Sequence, residues 1–141
     1  MKENSERQVP NLEAMDEQQA HRFLTELYTV LSAEMEYELR HEDFVMEMPQ
    51  SGERVRGREN MLGFQRALAE HFPRIPKIRI DRVRVSNGLW VKEGVNDCGD
   101  GVTSNSVVIY ELKDGKIWQD TRYYSQPFEA PDWRAQWVER M

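Results

Sequence analysis

The stretch PQSGERVRGREN, residues 49–60, decides how the rest of the chain is read. Gly52 and Gly57 are separated by four residues and followed by a basic side chain, the outline of a phosphate-binding loop. That chemistry requires a lysine and then a Ser or Thr directly after the second glycine, for phosphate and Mg²⁺. Arg58 and Glu59 stand there instead, and Glu53 puts a carboxylate inside the cradle, where it repels phosphate. The glycines therefore serve backbone geometry, a turn out of one strand and an entry into a helix.

Working outward, DFVMEM before this stretch alternates as a strand that Pro49 stops. RENMLGFQRALAEHF after it carries Met61, Phe64, Leu68 and Phe72 on one helical stripe, ended by Pro73 and Pro76. Glu59 in the first turn complements the helix dipole. Upstream, Met15, Phe23, Leu27, Tyr28 and Leu31 recur at spacings near three and four, which predicts a helix from about Leu12 to Leu31. A short second helix is expected over Ala33 to Leu39.

Downstream the period changes to two. KIRIDRVRVS alternates Ile78, Ile80, Val83 and Val85 against polar residues, with a slip near Asp81 that suggests a bulge. Asn87-Gly88 is a hairpin signal, and LWVKEGVND is the return strand. SNSVVIYEL, the turn KDGK and IWQDTRYYS complete an antiparallel meander. The tail APDWRAQWVERM reads as a short helix with Trp133 and Trp137 one turn apart. Segregated helices and strands of this kind predict an α+β domain, a curved, mostly antiparallel sheet against about three helices.

The 141 residues fit one domain, and 39% hydrophobic with 31% charged residues fits a globular chain. A net charge of −6 argues against nucleic acid as a partner, and no apolar run approaches the ~18 to 20 residues of a membrane span. The lone Cys98 leaves no internal disulfide and fits a reducing cytoplasm. His21, His41 and His71 are too widely spaced to suggest a metal site, and no residue pattern asks for a cofactor. His41, at the start of the first strand, is a candidate for the rim of a pocket.

The order of elements, DFVMEMP followed by SGERVRGRENM, and the late YELKDGKIWQDTRYYSQPF resemble the nuclear transport factor 2-like superfamily, most closely its SnoaL-like branch. The resemblance covers roughly residues 12–128, leaving 1–11 as a flexible polar arm and 129–141 as a helical extension of the same domain. It implies a cone-shaped roll, a bent sheet around helices with a pocket between them; Trp90 and Trp118, with Arg122 and Tyr124, are expected on the outer sheet face, where exposed aromatics and arginine suggest a homodimer.

Relatives include ketosteroid isomerase, epoxide hydrolases and polyketide cyclases, so chemistry must be argued from the residues. By that resemblance the isomerase base falls on Met48, its tyrosine near Leu24 with Tyr28 one turn further, and its partner acid among Val107 and Val108. The hydrolase aspartate falls on Ser125. None of Met48, Val107, Val108 or Ser125 supplies a carboxylate.

Two polar candidates follow from strand parity. Glu93 shares a face with Leu89, Val91 and Val95; facing inward it would be a base, facing outward it would pair with an arginine of the neighbouring strand. Tyr123 shares parity with Ile117, Gln119 and Thr121, and could hold a ligand oxygen or fill the core. The expectation is a largely apolar pocket lined by Phe44, Met46, Met48, Phe64 and Tyr123 that binds a small apolar or semi-polar molecule. The alternatives are a cyclase, isomerase or dehydratase with Glu93 as base and Tyr28 or Tyr123 as proton donor, or a non-catalytic dimer.

Overall fold

The computed structural model describes residues 9–30, 32–72, 74, 76–99 and 101–141. After a 3-10 turn at Leu12–Ala14 come α1 (Glu17–Val30), α2 (Ala33–Leu39), β1 (Arg40–Met48), β2 (Glu53–Arg56) and α3 (Arg58–His71). The chain then runs through β3 (Lys77–Ser86), β4 (Leu89–Asp97), β5 (Thr103–Lys113) and β6 (Lys116–Ser125). The strands form one mixed sheet in the order β2-β1-β6-β5-β4-β3, in which only β1 and β6 run parallel. This is the α+β roll expected from the sequence. No helix among the described residues is long and apolar enough to cross a membrane.

The long first helix of the sequence reading is divided. Asp16 accepts from the Gln19 N–H at 2.8 Å, and Gln19 accepts from the Asp16 N–H at 3.0 Å. That reciprocal cap starts α1 afresh and leaves Leu12 to Ala14 as a separate turn. Ala20, Leu24 and Leu27 then face the core at the spacing the periodicity required, while Leu31 lies outside the described residues. The register slips between Ile80 and Arg82, the bulge suggested near Asp81.

The opening stretch does what its glycines require. Ser51 and Gly52 turn back onto the Met48 carbonyl, and Arg54 and Arg56 are exposed on β2. Gly57, the residue before α3, has φ 91° and ψ 151°, a region essentially restricted to glycine, and donates to the Phe44 carbonyl at 2.7 Å. A Cβ here would meet no atom within 4 Å. Gly57→Ala is therefore expected to cost about 1–3 kcal/mol through backbone strain without a clash. Urea denaturation checks this, and an unchanged midpoint would mean that the turn relaxes freely.

The core joins Leu12, Leu24, Leu27 and Leu39 from the helical side to Phe44, Met46, Val83, Trp90, Val108, Tyr110 and Ile117 from the sheet, with Met61 of α3 fully buried. The C-terminal helix of the sequence reading does not form. Only Asp132–Arg134 makes a 3-10 turn, and Trp133 and Trp137 are each 74% exposed. A segment this short, with prolines at 127 and 131, is not helical without packing, and Trp133 and Trp137 are not packed.

Candidate functional site

The inner face of the sheet is set by two features of the strands. On β4 the buried positions are Trp90, Lys92 and Gly94. On β6, Glu111 pairs with Gln119 but Leu112 pairs with Ile117, so Trp118 is an extra residue in the ladder. The bulge switches parity along β6: Ile117 is buried, and beyond it Asp120 rather than Gln119 points inward.

This decides two orientations that strand parity left open, removes Glu93 and Tyr123 from the pocket, and corrects the outward orientation expected of Trp90. Glu93 lies on the outer face, held by the Arg82 guanidinium at 2.7 and 3.2 Å, with Arg84 at 4.0 Å. The arginine pairing weighed for it is the one that forms. Tyr123 also lies outside, 41% exposed, because Trp118 has shifted the strand by one residue.

Four of the residues expected to line an apolar pocket are core instead. Phe44 and Met46 are fully buried, and Met48 and Phe64 pack against the same cluster. His41 is buried beside a turn: its Nδ1 accepts from the Asp43 N–H at 3.0 Å and its Nε2 donates to Asp114 at 3.0 Å. Among the described residues no group of three or more His, Cys, Asp and Glu side chains is arranged to hold a metal.

The structure brings together a set of polar side chains that strand parity had hidden. Tyr28 of α1, Glu36 of α2, Arg40 of β1, Tyr110 of β5 and Asp120 and Arg122 of β6 line an enclosed cavity of about 10 Å³, with Leu24, Leu27, Leu39 and Ile117. That is room for about one water. In place of the expected greasy hollow, the interior is tightly filled and polar at its centre. The large depressions, about 730 and 540 Å³, are open to solvent along α1 and β3.

Hydrogen bonds organise the cluster. The Tyr28 and Tyr110 hydroxyls are 2.5 Å apart. Arg122 grips Asp120 through two bonds of 3.0 and 3.2 Å, and Asp120 is 1% exposed. Arg40 reaches Glu36 at 3.3 Å and Gln65 at 2.8 Å, while Gln65 donates back to Glu36 at 2.9 Å. Lys92, 2% exposed, sets its ammonium over the Tyr28 ring, 4.9 Å from the centroid.

Burial dominates the electrostatics. It drives both phenols well above their ordinary range, helped at Tyr28 by the Glu36 carboxylate and at Tyr110 by Tyr28, so both remain hydrogen donors. Burial also lowers Arg40, against the pull of Glu36. Arg122 is disfavoured by burial but raised well above its usual value by Asp120. Lys92 is pushed down from 10.5 to about 8 by burial and then by the Arg122 charge, against the attraction of Asp120 and Glu36.

The Lys92 shift predicts a stability profile. Below about pH 8 the ammonium is protonated in both the folded and unfolded states, and the cost of burying it is fully present. Between about pH 8 and 10.5 the unfolded chain keeps the proton that the folded protein has released, so stability from this group rises with pH. Relative to Lys92→Met, the wild type is expected to gain roughly 2–3 kcal/mol between about pH 8 and 10. Paired urea titrations check it, and a difference independent of pH would contradict it.

Of the catalytic candidates chosen from sequence, only Tyr28 enters this cluster. Lys92 was missed because the outer face of β4 is also apolar, with Leu89, Val91 and Val95, and imitates a core face, and Asp120 because the extra residue at Trp118 reverses the parity of β6. The available signal was Trp90: an indole belongs indoors more often than a valine edge, and it carries Lys92 inward with it.

The sequence matches the SnoaL-like domain family over residues 13–119. An NTF-2 like protein of unknown function from Burkholderia xenovorans LB400 is 32% identical, with a TM-score of 0.69 over 83% of this chain and 88% of that one. A protein from Kribbella flavida DSM 17836 described as a "putative ketosteroid isomerase" is 25% identical, with a TM-score of 0.73 and 85% coverage of both chains. An NTF2-like protein from Anabaena variabilis ATCC 29413, 20% identical with a TM-score of 0.64 over 75% of this chain and 84% of that one, shares the fold. No curated protein matches the sequence. With its cone of three helices and six strands among the described residues and its match across most of the chain, the protein belongs to the SnoaL-like family within the nuclear transport factor 2-like superfamily.

Proposed function

We propose that this protein binds a small organic molecule inside the cone, with an oxygen function of the ligand on Tyr28, Tyr110 and Lys92 and its hydrocarbon part against Leu24, Leu27, Leu39 and Ile117. The observation that carries this reading is the buried polar cluster itself. Ionised groups withdrawn from water cost several kcal/mol each, and apolar side chains would fill the same space more cheaply. A filled interior of about 10 Å³ requires the helices to move away from the sheet when the ligand enters.

A second reading makes the same site catalytic. Two protonated phenols facing a buried carboxylate supply a donor for a developing oxyanion and an acceptor for a proton, the parts an isomerase or dehydratase needs. In that reading Asp120 takes the role first given to Glu93, and Tyr28 keeps its own. The likeness to the Kribbella protein favours it.

Thermal melting across sterols, polyketides and terpenoids tests binding. At least one class is expected to raise Tm by several degrees, an effect lost in Tyr28→Phe. Absence of any shift counts against binding. If turnover accompanies binding, Asp120→Asn abolishes it in the catalytic reading, whereas a retained rate removes Asp120 from that role.

The outer sheet face supports a homodimer, in a cytoplasmic setting. Val91 and Ile109 are paired across β4 and β5, and Val107 pairs with the exposed Tyr123 across β5 and β6, forming an apolar patch that no helix among the described residues covers. Sedimentation at micromolar concentration is expected to give a dimer; a monomer would remove this reading.

A further inference from the structure

We propose that the ligand of the cone is an organic carboxylate, recognised by Lys92; this rests on the reading of the cluster as a ligand site. Arg40 and Lys92 are buried cations and Glu36 and Asp120 buried carboxylates, while Arg122, its side chain 17% exposed, reaches in from the edge as a third cation. Glu36 is taken by Arg40 and Gln65, and Asp120 by both arms of Arg122. Lys92 is therefore the surplus cation. Its ammonium has no ion pair among the described residues and rests on the face of Tyr28, which itself lines the cavity.

Hydrogen-bond donors are in surplus as well. The buried Arg40 Nε has no partner among the described residues. In the Tyr28–Tyr110 pair one hydroxyl proton is shared between the two oxygens, which leaves the other for a third group. A buried donor left unpaired is costly, and a buried cation left unpaired is more so. A carboxylate answers both deficits with one negative charge and two oxygens, each able to accept more than one bond. A neutral amide of the same shape supplies one acceptor, brings donors of its own and leaves the charge uncompensated.

The groups facing Lys92 set the pH response. Tyr28 lies under its ammonium, the charges of Arg122, Asp120 and Glu36 act on it, and both Tyr28 and Tyr110 stay protonated through the range in which Lys92, at about 8, loses its proton. Carboxylate affinity is therefore expected to fall by up to about tenfold per pH unit above that point.

Calorimetric titration of the full chain with benzoate and 2-naphthoate, against benzamide and 2-naphthamide, tests the proposal. At pH 7 the acids are expected to bind about tenfold or more tightly than their amides. The preference is expected to vanish in Lys92→Met, to persist in Lys92→Arg, and to fade at about pH 9.5 in the wild type. Amides binding as tightly as acids, or an acid preference that survives in Lys92→Met, would overturn the carboxylate assignment and leave small-molecule binding standing. Binding of neither series would overturn both.

Discussion

Asp120→Asn is expected to remove about 3–5 kcal/mol of folding stability. The substitution keeps the shape of the side chain and deletes only its charge. Arg122 would then lose the partner it holds at 3.0 and 3.2 Å, and Lys92 would lose an attraction that offsets its burial. Both cations would remain in the interior with Glu36 already committed to Arg40. Replacing the pair together, as Asp120→Leu with Arg122→Met, is expected to recover most of the loss, because it removes the buried charges as well as their bond. Urea denaturation of the single and double variants checks both statements. A single variant within about 0.5 kcal/mol of wild type would mean that water screens the pair.

Trp90→Ala should be comparably severe, costing about 3–5 kcal/mol. Trp90 is 1% exposed and stands edge-on to two rings, Phe23 of α1 at 6.3 Å and Tyr110 of β5 at 6.2 Å. Through Tyr110 it props the hydroxyl that meets Tyr28. Its loss would leave a cavity walled by apolar groups and loosen the tyrosine pair at the centre of the site. Such a cavity stays dry and accepts an apolar guest of matching shape. Added indole is therefore expected to restore part of the lost Tm in the variant and leave the wild type unmoved. A variant that melts like the wild type would contradict the packing account.

The sequence disclosed the architecture through residues whose geometry admits few substitutes. Gly52 and Gly57 required positive φ and have it; Asn87-Gly88 and Asp114-Gly115 close the hairpins with positive φ at all four positions. Helix periodicity picked out Leu27 and Tyr28 on the inward side of α1. The site was legible only where it lay on that helix.

On the strands, a side chain's face depends on counting by twos, and one extra residue reverses the count. Trp118 is that residue on β6, and nothing in IWQDTRYYS distinguishes it beforehand. On β4 no bulge intervenes, but both faces carry apolar side chains, so alternation could not say which was inside. Composition hid the cluster in a different way. A buried Lys, a buried Arg, a buried Glu and a buried Asp contradict the usual rule for charged residues, and only the folded structure shows which of them are paired and that Lys92 has no ion pair among the described residues.

Lys92 is 2% exposed and its ammonium has no ion pair among the described residues. Its proton affinity can be read directly from the Nζ-bonded carbon by NMR in protein labelled with ¹³C at lysine Cε, assigned by comparison with Lys92→Met. A midpoint close to 8 in the ligand-free protein, rising when 2-naphthoate binds, is the predicted result. A midpoint near 10.5, unmoved by any acid, would show an ordinary solvated lysine and contradict the reading of the interior as a charged receptor site.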